Sequence, residues 1–600
     1  MRPLAVLLIA VASFIGYGAA QAVPPTPTAP AAPLLEHPTA PVVAQVSFVD
    51  QDDLNRLAGE LDVWQVDHDA RRAMMLLSPA QFQRLRAEGR QVTVDATATA
   101  RLDAWPVQAA AQPAEGGIPS FPCYRTVEET YATLAQLATD FPDLVQPVTI
   151  GQSWQSVTTS GGAGYPIEGV VLTNQALSGP KPVFFLMAAI HARELTTAEA
   201  AMRFAERLIQ GYGMDPDATW LLDHTEIHVA PQTNPDGRKK AESGLFWRKN
   251  INNSQACFFD PNSVGIDLNR NSSFRWNQCT GFGCSSSDAC SLTYRGPTAA
   301  SEPEVEDVEA YMRAIFADQR GPLDIDAAPA DSSGVMISLH SFAPLILYPW
   351  GWTQAAAPNA DGLRTLARKF GYFTGYSVCQ SGGNGCLYMT DGTTDDFAYG
   401  ELGVAAYTFE LGSEFFQSCS VFETSIISST LDALTYAAKA ARRPYSAPAG
   451  PEIISATVAL TQVVSGHPVT LTVTADDTRR HTAYREGEPP PDAVQAIQAV
   501  RYTVDAPSWD LCGFAHPMAP ADGTFDTPVE EAVGVIDTQG WAPGRHLLFV
   551  EGQDAAGVWG VPTGVFVDVA GEGGSVPPYA PQETPCIELR LPWIERAVAP

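Results

Sequence analysis

The sequence predicts an α/β fold: a central mixed, mostly parallel sheet with helices on both faces, preceded by a small α+β unit and followed by a β-sandwich-like domain. Three observations lead there. From about 121 to 440, continuous apolar runs such as VFFLMAAI (183–190), VMISLH (335–340) and AAYTFE (405–410) alternate with segments of helical spacing, and unbroken apolar strands are those buried on both faces. Beyond a Pro/Gly-rich stretch around 443–452 the hydrophobic period drops to two, in ATVALTQVV, HPVTLTVTA, AIQAVRYTVD and GVFVDVA, as in a half-buried antiparallel sheet. Finally, 600 residues exceed what one hydrophobic core usually organises.

Taken in order, residues 1–22 (MRPLAVLLIAVASFIGYGAAQA) carry one early positive charge, a short apolar run and a small-x-small site at Ala20-Gln21-Ala22, the pattern of a secretory signal peptide. Residues 23–45 are rich in Pro, Ala and Thr and read as an extended leader. Residues 46–115 form the small α+β unit. VSFVD, DVWQVD and QVTVD are strand-like there, while DQDDLNRLAGEL and SPAQFQRLRAEG have helical spacing, the second with Ser78 as cap and Pro79 in the first turn. Ala110 to Ser120 is the expected linker. Residues 116–445 are the main α/β domain, with helices expected at Thr196–Gln210, 301–317 and 425–442. Residues 446–600 are the β domain.

Composition excludes some partners. A net charge of −31, from 36 basic against 67 acidic residues, repels phosphate backbones and anionic lipid. Nucleic acid is therefore not an expected partner, and no segment after residue 22 is long and apolar enough to span a membrane. Ten cysteines in an exported chain favour cystines. Cys279/Cys284, Cys379/Cys386, Cys257/Cys290 and Cys512/Cys586 are plausible partners, leaving Cys123 for Cys419.

The chemistry concentrates at strand ends. His191-Ala-Arg-Glu194 follows an apolar strand, His340 ends another and Glu410 a third, and open α/β sheets bind ligands at strand carboxyl ends. Two imidazoles and a carboxylate suit zinc, with a fourth position left open. Glu410 could then accept a proton, Arg248 in LFWRKN could stabilise a developing oxyanion, and the amide and guanidinium of Asn269-Arg270, after the strand-like VGIDL, could clamp a carboxylate. His224, Glu226 and His228 would share a face if they lay on one strand, a weaker metal candidate. No G-x-S-x-G follows a suitable strand, which disfavours serine-hydrolase chemistry.

The blocks AAIHAREL (188–195), QTNPDGR (232–238), LFWRKN (245–250), VGIDLNRN (264–271), SLHSF with LILYPWG (338–351), and Tyr388, GTTDDFAY and YTFELG (388–412) occur in the order of a known family. The central domain resembles the zinc metallocarboxypeptidases of the funnelin type, carboxypeptidase A/B/T-like, here as a secreted bacterial-style preproenzyme with an extra C-terminal β domain. The resemblance implies one zinc per catalytic domain held by His191, Glu194 and His340, with Glu410 as general base and Arg248 polarising the scissile carbonyl. It implies that Asn269, Arg270 and Tyr388 hold the substrate's terminal carboxylate, and that Arg193 supports the subsites. Asp395 falls at the floor of the pocket for the departing side chain, which implies a basic or mixed basic/apolar preference. Phe342 replaces a tyrosine usual in the family, so an apolar wall remains without its hydroxyl. Calcium, common in secreted relatives, receives no residues. The 46–107 segment resembles the family's propeptide, which implies a zymogen. The expected function is hydrolysis of the C-terminal peptide bond of peptides or proteins by a monomer. The alternatives are an amidohydrolase of cell-wall peptides and a non-catalytic peptide-binding module. The C-terminal domain leaves a surface or polysaccharide contact open.

Overall fold

The computed structural model describes residues 38–111, 116–255, 257, 264–279, 284–460, 462–483 and 489–581. The signal-peptide segment, most of the leader and Cys586 lie outside the described residues.

The N-terminal unit contains β1 (Val42–Ser47), α1 (Gln51–Glu60), β2 (Asp62–Asp67), β3 (Arg72–Leu77), α2 (Pro79–Ala87), β4 (Val92–Val94) and α3 (Ala96–Ala111). Its sheet order is β2-β3-β1-β4. Asp50 caps α1 by accepting from the Asp53 amide, and Ser78 and Gln81 close a capping box on α2, satisfying amides that have no partner inside a helix. Three expectations need correction. The leader ends earlier than residue 45, because Val42, Val43 and Ala44 are buried in β1. The strand expected in VSFVD therefore begins four residues sooner. Residues 96–111 form a helix where no periodicity announced one, and it takes in the first two residues of the expected linker, Ala110 and Ala111.

The catalytic-size domain has α4 (Val127–Asp140), β5 (Val145–Gln152), α5 (Trp154–Thr158), β6 (Pro166–Leu172), β7 (Val183–Ala188), α6 (Leu195–Gly211), α7 (Pro216–His224), β8 (Glu226–Ala230), α8 (Pro235–Glu242), α9 (Pro303–Ile315), β9 (Val335–His340), β10 (Leu345–Tyr348), α10 (Ala360–Thr374), β11 (Ser377–Gln380), α11 (Thr394–Leu402), β12 (Ala405–Glu410), α12 (Cys419–Val421) and α13 (Ile427–Ala440). The eight strands run in the order β11-β10-β12-β9-β7-β8-β6-β5. The central pairs β12/β9, β9/β7 and β7/β8 are parallel, while β5/β6, β6/β8 and β10/β12 are antiparallel. Every residue of β9 is buried, which accounts for the unbroken apolar run that marked it. His224 closes α7 instead of lying on β8. It packs on Phe549 and Trp509, and His228 is held between Glu226 and the Tyr311 hydroxyl, so the weaker metal candidate falls away. VGIDL is not a strand: an irregular segment leads into a single 3-10 turn, Leu268–Arg270.

The C-terminal domain pairs a four-stranded with a five-stranded sheet, chiefly the strands Glu452–Val458, Val469–Asp476 and Val529–Ile536 against Ile497–Val504, Gly544–Asp554 and Thr563–Ala570. Leu547, Phe549 and Val561 join the core of the preceding domain. Lys369 pairs with Glu452 at 2.8 Å in a buried bridge, and Arg545 donates to the Gly213 carbonyl. The domain is thus docked on the side of α7, α10 and α13.

Four cystines, Cys123–Cys419, Cys257–Cys290, Cys279–Cys284 and Cys379–Cys386, match the pairs expected from the sequence. Cys512 is also disulfide-bonded.

Candidate active site

The parallel sheet delivers its residues to one edge. β9 and β12 are neighbours in register, with His340 opposite Glu410 at their carboxyl ends. β7 ends two residues before Ile190, and the following turn carries His191 and sets Glu194 at the start of α6. His191, Glu194 and His340 converge so that one ligand atom from each lies within 4.8 Å of the others.

The ring orientations are fixed from behind. His191 Nδ1 faces Glu194 at 2.8 Å while its Nε2 meets Asp267 Oδ1 at 3.0 Å. His340 Nδ1 stands 3.2 Å from His191 Nδ1 and 3.3 Å from Glu194 Oε2, and its Nε2 meets the Ser338 hydroxyl at 3.0 Å. Both Nδ1 atoms and the carboxylate therefore point at one spot, with the far nitrogens already engaged. That donor set fits zinc, and the three residues form a zinc-binding triad.

Electrostatics agree with the geometry. Burial pushes the Glu194 carboxyl up, but the two imidazoles outweigh it and hold Glu194 well below the usual carboxylate range. Asp267 is also held low against its burial, chiefly by Arg248 and His191. Glu410 goes the other way: burial, with Glu194 nearby, pushes it up to about 7, where a carboxylate can both take and return a proton near neutrality.

All ten residues expected from the sequence line a single cleft: His191, Arg193, Glu194, Arg248, Asn269, Arg270, His340, Tyr388, Asp395 and Glu410. Arg248 is oriented by Asp267 Oδ2, at 3.2 Å from Nε and 2.9 Å from Nη2. Arg270 donates from Nη1 to the Asn269 carbonyl at 2.7 Å, and its buried Nε has no hydrogen-bond partner. Asp395 is buried, accepts from the Ser381 and Thr408 hydroxyls at 3.4 Å, and receives the Asp396 amide at 3.0 Å. Asp396 instead accepts the Gly351 and Trp352 amides, anchoring the chain beneath the pocket.

Two residues escaped the sequence reading. Asp267 links His191 to Arg248; the signal available was only that a metal-bound histidine commonly gives its second nitrogen to a carboxylate. Replacing Asp267 by Asn is expected to weaken zinc affinity by roughly 10- to 100-fold, measured by competition with a chelator; unchanged affinity would remove its orienting role. The other residue is Asp62 on β2. Its carboxylate takes a bidentate bridge from Arg193 at 2.7 and 2.8 Å, with both side chains buried. Trp64 donates to Asp62 at 2.6 Å and packs between Phe246, Phe342 and Phe415. Tyr388, on the far wall, turns its hydroxyl to the Val63 carbonyl at 3.4 Å. The N-terminal unit thus forms part of the cleft wall through Val63 and Trp64.

A crevice at the carboxyl ends of a mixed α/β sheet, holding a two-histidine, one-glutamate metal triad beside a raised glutamate and three arginines, defines a zinc site with an open position. The zinc carboxypeptidase family matches residues 130–429, half of the chain, and the protein belongs to that family. The chain is similar to mouse carboxypeptidase A1, 29% identical over 305 residues, and to mouse carboxypeptidase A4, 31% identical over 304 residues. Each match covers 49% of this chain and 63% of the relative, so the chain spans somewhat less than two thirds of their length. Among solved structures, carboxypeptidase A from Helicoverpa armigera shares the fold at TM-score 0.52 and 22% identity, over 67% of this chain and 98% of that one. No helix among the described residues is long and apolar enough to cross a membrane.

Proposed function

We propose that the protein is a secreted zinc exopeptidase that removes the C-terminal residue of peptides and proteins. The observation that carries this reading is the grouping of Arg270, Asn269 and Tyr388 in the cleft of the metal triad, where the buried Arg270 guanidinium is bonded to the neutral Asn269 carbonyl and not to a carboxylate. Burying a cation without an anion is costly, and a substrate's terminal carboxylate relieves that cost with paired, charge-assisted hydrogen bonds.

His191, Glu194 and His340 would hold the metal. When bound, zinc supplies the Lewis acidity that polarises a carbonyl and acidifies water. Glu410 takes the proton from the attacking water on its carboxylate and returns it to the leaving amine. Its raised pKa suits both directions of transfer. Arg248, held in place by Asp267, donates to the oxygen that gains charge as the carbonyl becomes tetrahedral. Arg270 and Asn269 bind the terminal carboxylate, and Tyr388 closes over it once free of Val63.

Arg270→Gln is the test of the clamp. Loss of about 10²- to 10³-fold in kcat/KM is expected on peptides with free C-termini, because a desolvated charge pair is broken; a variant within a few-fold of wild type would contradict the proposal. Asp395 supports a basic preference, since the buried carboxylate borders the pocket with hydroxyls, not a cation, as its neighbours. Matched peptides ending in Arg or Lys should be cleaved faster than those ending in Phe, and Asp395→Ala should reverse that order. A strict preference for Phe in the unaltered enzyme would rule out the basic pocket.

The N-terminal unit is proposed to be an inhibitory propeptide, supported by the Asp62–Arg193 bridge and by Trp64 lying where upstream substrate residues must pass. Among the described residues none beyond Phe415 lines the cleft, so the C-terminal domain is assigned no part in the chemistry.

A further inference from the structure

The segment carrying Tyr388 is anchored unevenly. On the N-terminal side, β11 is paired to β10, with Cys379 opposite Leu347. The Ser381 and Gly382 amides then donate to the Tyr348 and Trp350 carbonyls at 2.9 and 2.7 Å. Gly382 presses so closely on the Gly351 carbonyl that an added Cβ would stand 2.5 Å from it. On the C-terminal side, the Thr390 amide donates to the Gly351 carbonyl at 3.0 Å. Between these anchors the contacts run to the N-terminal unit: Gln51 to Gly385 and Leu387, Asn55 to the Met389 amide, His68 to the Cys386 carbonyl, and Tyr388 to Val63. When that unit departs, those contacts go with it. What stays is two turn bonds, from the Gly383 amide to the Gln380 carbonyl at 2.9 Å and from the Cys386 amide to the Gly383 carbonyl at 3.3 Å, and the covalent Cys379–Cys386 link, whose two cysteines are buried with Ala343, Leu345 and Leu347 in a small apolar cluster under the cleft wall.

We infer that the Cys379–Cys386 cystine is a positioning element for Tyr388, confining motion on activation to residues 387–389 and so presenting the phenol at the carboxylate clamp. The inference rests on the exopeptidase reading and adds to it the device that sets the lid. Without the bridge the freed segment would run from about 383 to 389. More conformations would have to be given up each time Tyr388 closes, an entropic cost that falls on substrate binding.

The experiment uses the zinc-loaded full chain, cut after folding between Ala111 and Phe121, and compares native, C379S/C386S, Y388F and the triple variant on peptides with free C-termini. Y388F in the native background should raise KM about tenfold, the worth of one hydrogen bond to a charged group. The cystine variant should raise KM by a similar factor with kcat within about twofold, and Y388F added to it should cost less than twofold. Full and independent costs for Y388F in both backgrounds would overturn the inference while leaving the clamp intact. No cost for Y388F in the native background would overturn the clamp reading as well. If the serine pair misfolds, C379A/C386V keeps the cluster apolar and gives the same comparison. Hydrogen exchange supplies a second readout: cutting should loosen only 387–389 in the native protein, and 383–389 in either cystine variant. Equal loosening with and without the bridge would refute the positioning role.

Discussion

Glu410→Gln lowers peptide hydrolysis by about 10³- to 10⁴-fold while the protein keeps one zinc per chain. The glutamate stands at the end of β12 opposite His340 but outside the triad that binds the metal, so its removal separates proton transfer from metal binding. The size follows from the usual contribution of a positioned general base, ~10²–10⁴-fold, at its upper end because the same group both takes and returns the proton. Steady-state rates and metal analysis of the same preparation check it. A near-normal rate with zinc bound would mean that another group carries the proton; loss of zinc would mean that Glu410 is a ligand.

Cutting the chain between Ala111 and Phe121 raises kcat/KM on peptides by about 100-fold or more. Asp62 bridges Arg193, and Trp64 lines the cleft against Phe415; breaking a buried ion pair from one side typically costs ~3–5 kcal/mol. Asp62→Asn should therefore activate the uncut chain in part. The pH dependence has a definite sign. Burial pushes Asp62 up, but Arg193 outweighs it, and the folded pKa lies below the ordinary 3.8. A depressed carboxylate contributes stability that is fully present above its unfolded pKa and is lost as pH falls through the folded value. Docking of the N-terminal unit should thus hold at neutral pH and weaken only below about pH 4, and D62N should lose that dependence. Activity of the uncut chain equal to that of the cut chain would remove the inhibitory role.

Much of the site was legible because its chemistry is carried by residues that follow continuous apolar strands. His191, His340 and Glu410 each end a run that reads as a buried strand, and a parallel sheet brings such ends together whatever the loops do. The arginines were legible through short polar blocks of the same family pattern. Asp267 was not, because it sits in an irregular segment before a single turn, and nothing local distinguishes a carboxylate that orients a histidine from one that faces solvent. Asp62 and Arg193 are 131 positions apart and belong to separate folding units, so neither periodicity nor motif could join them. α3 escaped for a compositional reason: ATATARLDAWPVQAAA is rich in alanine but carries no apolar stripe. β1 was displaced by the Pro- and Ala-rich leader, whose composition masked the VVA at the strand's start. The nearby cysteine pairs were legible because short loops bring their ends together cheaply.

The most direct measurement is the mass of the products formed from one peptide with a free C-terminus and from the same peptide amidated, using the zinc-loaded chain cut after Ala111. Loss of single residues from the free terminus is expected, with the amidated peptide left intact or cut at least about 100-fold more slowly, because the amide gives Arg270 no anion. Equal cleavage of both, or products released from the interior, would contradict it.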